Sequence, residues 1–278
     1  MKKPLLPEQT SNMSGSNMVV HPVLLAVRFP LRSFLAAVRF LTIIPLSWKS
    51  DEDVRFFQAS LLWFPVIGLL IGLSVMVLVS VATDFLPVSL TALFGMLLLG
   101  GVSGFLHLDG VADTGDGLLS SRPRERALEI MRDSRTGAMG VLFLFFLLLA
   151  KYAALSSLSN TTLLTTFILM PVAGRTAILL TMAILPYARK EDGLGRLFYS
   201  KDRYIIAITA LLFFIICSWL LVSKLTLVFL PALLLGVGLF SVWCFNKLGG
   251  ATGDTLGCVC EFSELSLAIA AVYCQGVI

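Results

Sequence analysis

The sequence predicts an all-helical, polytopic integral membrane protein with six to seven transmembrane helices and an interfacial helix near its N-terminus. The first observation is composition: 57% of the 278 residues are hydrophobic and the mean hydropathy is +0.91, whereas soluble domains contain roughly 45–50% apolar residues. The second is that apolar runs of about 20 residues, enough to cross a bilayer, recur along the chain. The third is that Lys and Arg are concentrated in alternate loops. Together these observations exclude an ordinary soluble domain.

The N-terminal region precedes the first spanning run. Residues 1–22 lack a core-forming pattern and are predicted to form a disordered tail, ahead of a single membrane-embedded domain at residues 23–278. From Val23 to Trp48 the apolar residues are interrupted by Arg28, Arg32 and Arg39. This pattern predicts a helix at the cytoplasmic interface with its arginines toward lipid headgroups. A short re-entrant or spanning element is the alternative.

Six apolar runs are predicted to span the membrane. They lie at approximately 61–83, 86–106, 138–158, 162–186, 204–222 and 226–245. A seventh run, Leu265–Ile278, is too short for an ordinary crossing. It is interpreted as a partial span, an interfacial helix or the end of a trimmed chain.

The distribution of basic residues predicts the orientation in the membrane. Lys and Arg collect between the second and third runs and between the fourth and fifth, while the other short turns carry almost none. Because cytoplasmic loops of membrane proteins accumulate these residues, the N-terminus and the basic loops are placed in the cytoplasm. The net charge of +4 is small. It gives no reason to expect a nucleic-acid partner, and the lipid bilayer is the expected surrounding.

Three aspartates follow the second apolar run, in the segment LDGVADTGDG from Leu108 to Gly117. If this segment is helical, the offsets of four and three residues place Asp109, Asp113 and Asp116 on one face. Clustered carboxylates repel one another and are costly to desolvate. A hard divalent cation such as Mg²⁺ resolves that conflict, since it takes carboxylate oxygens, water and substrate phosphates. A solvated acidic loop is the alternative.

A second polar segment, NKLGGATGDTLGCVCEFSE, follows the sixth run. Thr252 and Gly253 are candidates to donate hydroxyl and backbone N–H groups to phosphate oxygens, and Asp254 adds a carboxylate to a metal shell. The alternative is a flexible turn. The predicted topology puts this segment on the same side of the membrane as the aspartates. The sequence therefore predicts one site built from both segments.

Basic residues near these segments are candidates for binding substrate phosphates. Arg132, Asp133 and Arg135 lie just ahead of the third run, and arginine forks match phosphate oxygens bidentately. Arg175 lies inside the fourth run and is expected to line a polar cavity or to reach a substrate phosphate. A solvated anchor at the membrane surface is the alternative for Arg132 and Arg135. It is the preferred interpretation for three further arginines: Arg122, Arg124 and Arg126.

A family resemblance rests on two segments, GFLHLDGVADTGDGLLSSRPRERALEIMRDSRTGAMG and GGATGDTLGCVCEFSE. They resemble the signature regions of cobalamin synthase, the adenosylcobinamide-GDP ribazoletransferase family. Weaker similarity, including RFLTIIPL and GRTAILLTMAILPYAR, extends over nearly all of residues 34–264. The resemblance implies transfer of the cobinamide-phosphoryl group from GDP onto α-ribazole or its 5'-phosphate, with release of GMP. It also implies Mg²⁺ as cofactor, the bacterial inner membrane as location, and other corrinoid-pathway enzymes as neighbours.

The residues are chemically compatible with that reaction. Attack on a phosphoanhydride requires neutralisation of charge on the non-bridging oxygens and on the departing nucleotide. Metal held by the aspartates would do this. A non-ligating aspartate or His107 would take the proton from the attacking hydroxyl. A hydrogen-bonded histidine at a helix end is the alternative for His107.

Two other functions are weighed against the transferase. A transporter of a phosphorylated or anionic substrate would place ionisable residues near the middle of broken spanning helices, whereas here they are expected at the ends of the runs, with Arg175 as the exception. An intramembrane serine protease would use Ser103. Neither histidine of the chain, His21 or His107, lies in a later run suited to act as its base.

Overall fold

The computed structural model describes residues 21–46, 56–189, 194–197 and 199–275. Within those ranges the regular structure is helical, apart from one isolated bridge between Tyr187 and Ala251, which confirms the all-helical prediction. The helices are α1 (Pro22–Arg28), α2 (Pro30–Leu41), α3 (Phe56–Ala82), α4 (Val88–Val102), α5 (Leu106–Leu118), α6 (Arg124–Ile130), α7 (Ala138–Ser156), α8 (Asn160–Ile184), α9 (Leu194–Leu197), α10 (Arg203–Val222), α11 (Thr226–Leu248) and α12 (Gly253–Gln275). The predicted tail lies outside the described residues except for His21 and Pro22.

The predicted N-terminal helix is two short helices, α1 and α2, which meet at Phe29. Pro22 and Pro30 each open a helix, a position where the missing N–H leaves no hydrogen bond unmade. α2 is amphipathic: Ala37 and Leu41 are fully buried and Arg32 is exposed. Its position at the membrane interface stays a prediction.

Five helical stretches among the described residues are long and apolar enough to cross a membrane. They are Phe56–Ala82, Ala138–Ser156, Asn160–Ile184, Arg203–Leu248 and Gly253–Gln275. The 46-residue stretch contains two helices, α10 and α11, separated by a 3₁₀ turn at Ser223–Leu225. At 1.5 Å per residue it measures roughly 69 Å, more than twice a bilayer core. The runs predicted at 61–83, 138–158, 162–186, 204–222 and 226–245 are thus confirmed as helices.

The run predicted at 86–106 is not one continuous helix. α4 ends at Val102, and the chain turns by 92° into α5. Gly104 and Phe105 make the turn in the left-handed region, with φ of 60° and 58°. The Phe105 ring lies over Gly100, where an added Cβ would come within 2.6 Å of it. α4 and α5 together form one broken span or a re-entrant loop. The aspartates therefore lie on a helix whose axis differs in direction from that of α4.

The interpretation of the C-terminal region is also corrected. The polar segment predicted as a loop is helical from Gly253 onward, and the run that began at Leu265 is the second half of the 23-residue helix α12. This helix is long and apolar enough to cross the membrane, so residues 265–275 are part of a span and not a separate interfacial helix. Glu261 and Glu264 belong to this helix. In the structure both are buried beside basic side chains.

α8 lies at the centre of the bundle. It is the most buried of the spanning helices, with 89% of its apolar stretch inside the protein, and it contacts α3, α10 and α12. Gly68 allows α3 to pack closely against α8. An added Cβ there would lie 2.5 Å from the carbonyl oxygen of Pro171. Packing in the core therefore fixes the position of α8, and α12 packs against α8.

Candidate active site

The three aspartates lie on α5, as their spacing predicted, and the acidic-loop alternative is wrong. The opposite face of α5 is buried, with Val111 and Thr114 fully inaccessible. The carboxylates occupy the more open face: Asp109 is exposed, and Asp113 and Asp116 are partly buried. The buried face of α5 thus holds the helix in the protein. The opposite face presents the row of three carboxylates at the surface.

Asp116 caps the start of α7. Its carboxylate accepts hydrogen bonds from the backbone N–H of Gly137, at 2.6 Å, and of Gly140, at 2.8 Å. Gly137 occupies the N-cap position and has no side chain to do this itself. Gly140 also lets the helices approach, since an added Cβ would lie 2.5 Å from the carbonyl oxygen of Ala112. Each oxygen of Asp116 keeps a second lone pair for another ligand.

The start of α12 lies directly against α5. An added Cβ on Gly110 would lie 2.7 Å from the carbonyl oxygen of Asp254, so the two backbones are in contact beside the aspartate row. Thr252 and Thr255 form a reciprocal cap, with Thr252 N donating to Thr255 Oγ1 at 2.8 Å and Thr255 N donating to Thr252 Oγ1 at 3.2 Å. Thr252 is fully buried. The structure therefore brings the two predicted segments together.

Gly253 differs from the other glycines of this segment. None of the described residues lies within 4 Å of a Cβ added there, whereas Gly257 lies against the backbone of His107, and a Cβ added to Gly249 would lie 2.8 Å from the Arg124 guanidinium. Gly249 also has a φ of 69° as the C-cap of α11. Gly253 is therefore the glycine whose surroundings leave room for a ligand at the N-terminus of α12.

Arg189 is a site residue that the sequence reasoning missed. Its Nη2 donates to Asp254 Oδ2 at 2.8 Å, and both side chains are partly buried, with 16% and 26% exposed. The backbone before it is fixed on the α12 side: Ala188 N donates to the carbonyl oxygen of Ala251 at 2.8 Å. Arg189 had been counted among the loop residues that orient the protein. No spacing in the sequence connects it with Asp254.

The candidate phosphate ligands Arg132, Asp133 and Arg135 lie in the turn before α7, at the end of the bundle where Asp116 caps that helix. Arg135 donates to Asp133 from Nε at 3.0 Å and from Nη2 at 2.7 Å. These hydrogen bonds lower the pKa of Asp133 to about 2. Arg126, predicted to be solvated, is 63% exposed and pairs with Glu129 at 2.6 Å.

His107 and Arg175 are not brought to the aspartate row. His107 is 4% exposed on the buried face of α5, where its Nε2 has no hydrogen-bond partner among the described residues. Arg175 is 2% exposed and donates to Glu264 at 2.8 Å. Glu264 lies ten residues beyond Asp254, roughly 15 Å along the helix. Arg175 therefore lines an interior cavity, one of the two expectations for it.

Ionisable residues are not confined to the ends of the spanning helices, contrary to expectation. We use the name ionic cluster for four buried side chains: Lys151, Arg175, Glu261 and Glu264. They lie within α7, α8 and α12, all long enough to cross the membrane. Lys151 lies inside the run predicted at 138–158, and both glutamates lie in the polar segment that follows the sixth run.

The carboxylates fit magnesium by donor type. Among the described residues, no group of three or more His, Cys, Asp or Glu side chains is placed to hold a metal ion. Mg²⁺, however, usually keeps several waters and binds through one or two carboxylates together with substrate phosphates. The exposed Asp109 and the partly buried Asp113 meet that requirement for oxygen donors at an open face. Magnesium binding stays a prediction.

Comparison with known proteins identifies the family. A family model described as cobalamin-5-phosphate synthase matches residues 33–272. The chain is 32% identical to an adenosylcobinamide-GDP ribazoletransferase of Clostridium novyi, over 88% of this chain and 98% of that protein. It is 39% identical to one of Alkaliphilus metalliredigens, over 84% and 92%, and 38% identical to one of Acetivibrio thermocellus, over 84% and 94%. No solved structure matches. The chain belongs to the cobalamin-5-phosphate synthase family.

Proposed function

We propose that this protein joins adenosylcobinamide-GDP to α-ribazole or α-ribazole 5'-phosphate, releasing GMP and forming adenosylcobalamin or its 5'-phosphate. This is the assembly step of the cobalamin nucleotide loop. The observation that carries the proposal is the contact between Gly110 and Asp254, which joins the aspartate segment to the start of α12. The curated relatives that carry the transferase name cover most of the chain.

The geometry suggests how substrate phosphates would bind. The N-terminus of α12, with room at Gly253, presents the positive end of a helix dipole to an anion. Arg132 and Arg135, at the start of α7, are candidates to clamp phosphate oxygens. The phosphoryl group would then lie beside the carboxylates of α5.

A magnesium ion is part of the proposal. Asp109 and Asp113 would hold it, with Asp116 and Asp254 as further ligands, and when bound it would neutralise charge on the transferring phosphoryl group. We assign no proton transfer to His107, because it is buried on the opposite face of α5. An aspartate free of metal is the candidate base.

Location in the bacterial inner membrane, with the N-terminus and the site in the cytoplasm, also belongs to the proposal. Its support is the concentration of Lys and Arg in the loops at the ends of α5 and α8. Association with other corrinoid-pathway enzymes is supported by the family resemblance alone.

The proposal is tested with detergent-purified protein, adenosylcobinamide-GDP and α-ribazole 5'-phosphate. We expect GMP and adenosylcobalamin 5'-phosphate in equal amounts with Mg²⁺, and neither product with excess chelator. A monodisperse protein that forms neither product under any divalent cation would contradict the proposal. Uptake of the nucleotide into proteoliposomes would then support the transporter. The cavity at the ionic cluster does not favour transport, because its volume of about 20 Å³ has room for about one water molecule.

Replacing Arg189 tests its assigned contact. Arg189→Ala leaves Asp254 without its 2.8 Å ion-pair partner, and we expect kcat/KM to fall about 10- to 100-fold, the effect of one charge-assisted hydrogen bond. Steady-state GMP release is the measurement. Arg126→Ala is the matched control, because the Arg126–Glu129 pair is exposed and lies on α6. Equal kinetics for the two variants would remove Arg189 from the site.

A further inference from the structure

The ionic cluster connects three helices through short contacts. Lys151 Nζ of α7 donates to Glu261 Oε2 at 2.5 Å and to Glu264 Oε2 at 2.9 Å, both on α12. Arg175 Nη1 of α8 donates to Glu264 Oε1 at 2.8 Å. The four side chains are between 3% and 10% exposed. Two positive and two negative groups give the cluster a formal charge of zero.

Stability alone is a weak reason for such a cluster. Charges inside spanning helices are expensive to desolvate, and well-packed apolar side chains often serve a buried site equally well. The cavity that the cluster lines, about 20 Å³ in volume, accommodates about one water molecule. It is too small for a nucleotide or a corrinoid, so the cluster is not a binding site for either substrate.

The position of the cluster relative to Asp254 indicates its role. Asp254 and Glu261 are seven residues apart on α12, which is about two turns and places them on one face, roughly 10 Å apart along the axis. Between them Gly257 touches α5 through backbone, with an added Cβ 3.3 Å from His107 Cα. At Gly257 no side chain of α12 interlocks with α5, so this contact alone does not set the axial position of the helix. The ion pairs of the cluster are directional and join specific side chains.

We propose that the ionic cluster fixes the axial position of α12 against α7 and α8, and thereby places Asp254 beside the aspartate row of α5. The cluster residues are positioning residues that act through Asp254. The catalytic readout of this inference rests on the proposed function. The placement of α12 itself is measurable independently of activity.

The main test variant is Lys151→Met with Glu261→Gln. This double change removes one positive and one negative group and leaves the Arg175–Glu264 pair, so no uncompensated charge is buried. Lys151→Arg keeps the charge and is the conservative variant. Arg126→Gln breaks the exposed Arg126–Glu129 pair, and serves as the control for loss of an ion pair outside the cluster.

Two measurements are made on each monodisperse variant: GMP-release kinetics and backbone hydrogen exchange over residues 250–262. For the double variant we expect faster exchange in that segment and a kcat lower by about tenfold or more with little change in KM, because a displacement of about 1 Å near the chemistry has effects of this size. Lys151→Arg should retain most of the wild-type kcat. Arg126→Gln should match wild type in both measurements.

A folded double variant with wild-type kcat and wild-type exchange would overturn the inference. If the double variant does not fold, Glu261→Asp decides, because it keeps every charge and shortens the side chain that reaches Lys151 at 2.5 Å. Reduced kcat for Glu261→Asp supports positioning, and unchanged kcat overturns it. If wild type releases no GMP, the proposed function fails, while the exchange comparison still tests the placement of α12.

Discussion

Asp113→Asn is expected to lower kcat about 100- to 1,000-fold, which is the scale on which loss of one preorganised electrostatic group acts. Asp113 lies between Asp109 and Asp116 on the open face of α5. Asparagine preserves its shape but removes the negative charge that a cation requires. Asp109→Asn should have a similar effect. The measurement is GMP release under saturating substrates and Mg²⁺.

The control for this prediction is Asp84→Asn. Asp84 is an exposed aspartate in the turn between α3 and α4, so its substitution should leave turnover unchanged. Asp116→Asn should differ from both, because this carboxylate also caps α7 through two backbone hydrogen bonds. Loss of the cap should lower thermal stability as well as turnover. Wild-type turnover in both Asp109→Asn and Asp113→Asn would contradict the metal proposal.

Gly110→Val is expected to lower kcat about a hundredfold, since displacements near 1 Å can have that effect. A Cβ at this position would lie 2.7 Å from the carbonyl oxygen of Asp254, which belongs to backbone and cannot rotate away. The start of α12 must therefore move away from the aspartate row. Kinetics and the melting temperature of the purified variant are measured together.

Gly238→Val is the matched control, because nothing lies within 4 Å of a Cβ added to Gly238 in α11. It should retain both the melting temperature and the turnover of wild type. If Gly110→Val turns over as fast as Gly238→Val, contact between α5 and α12 is unnecessary for the reaction. The two signature segments would then not form one site.

Apolar runs predicted most spanning helices because a helix surrounded by lipid must be apolar along its whole length. The break at Gly104 and Phe105 could not be read this way, since the apolar run passes through both residues before it ends at 106. The start of α12 could not be predicted from the apolar pattern, for the opposite reason. Its glutamates resemble loop residues unless their partner Lys151, more than a hundred residues earlier, is known to lie beside them.

The sequence predicted the part of the site that is formed by residues close together in the chain. The spacing of Asp109, Asp113 and Asp116 alone indicated a carboxylate face on a helix, because helical periodicity is a property of neighbouring residues. The Arg189–Asp254 pair joins residues 65 positions apart, and the contact of Gly110 with Asp254 depends on how two helices cross. Such pairings follow from tertiary packing, and no period in the sequence encodes them.

The most direct test of the account measures Mn²⁺ binding by electron paramagnetic resonance in the presence of GDP. Wild type is compared with the variants Asp113→Asn and Asp254→Asn. Mn²⁺ accepts the same oxygen ligands as Mg²⁺. If α5 and the start of α12 form one metal-assisted site, both substitutions should weaken binding at the same site. Unchanged Mn²⁺ affinity in both variants would contradict the account.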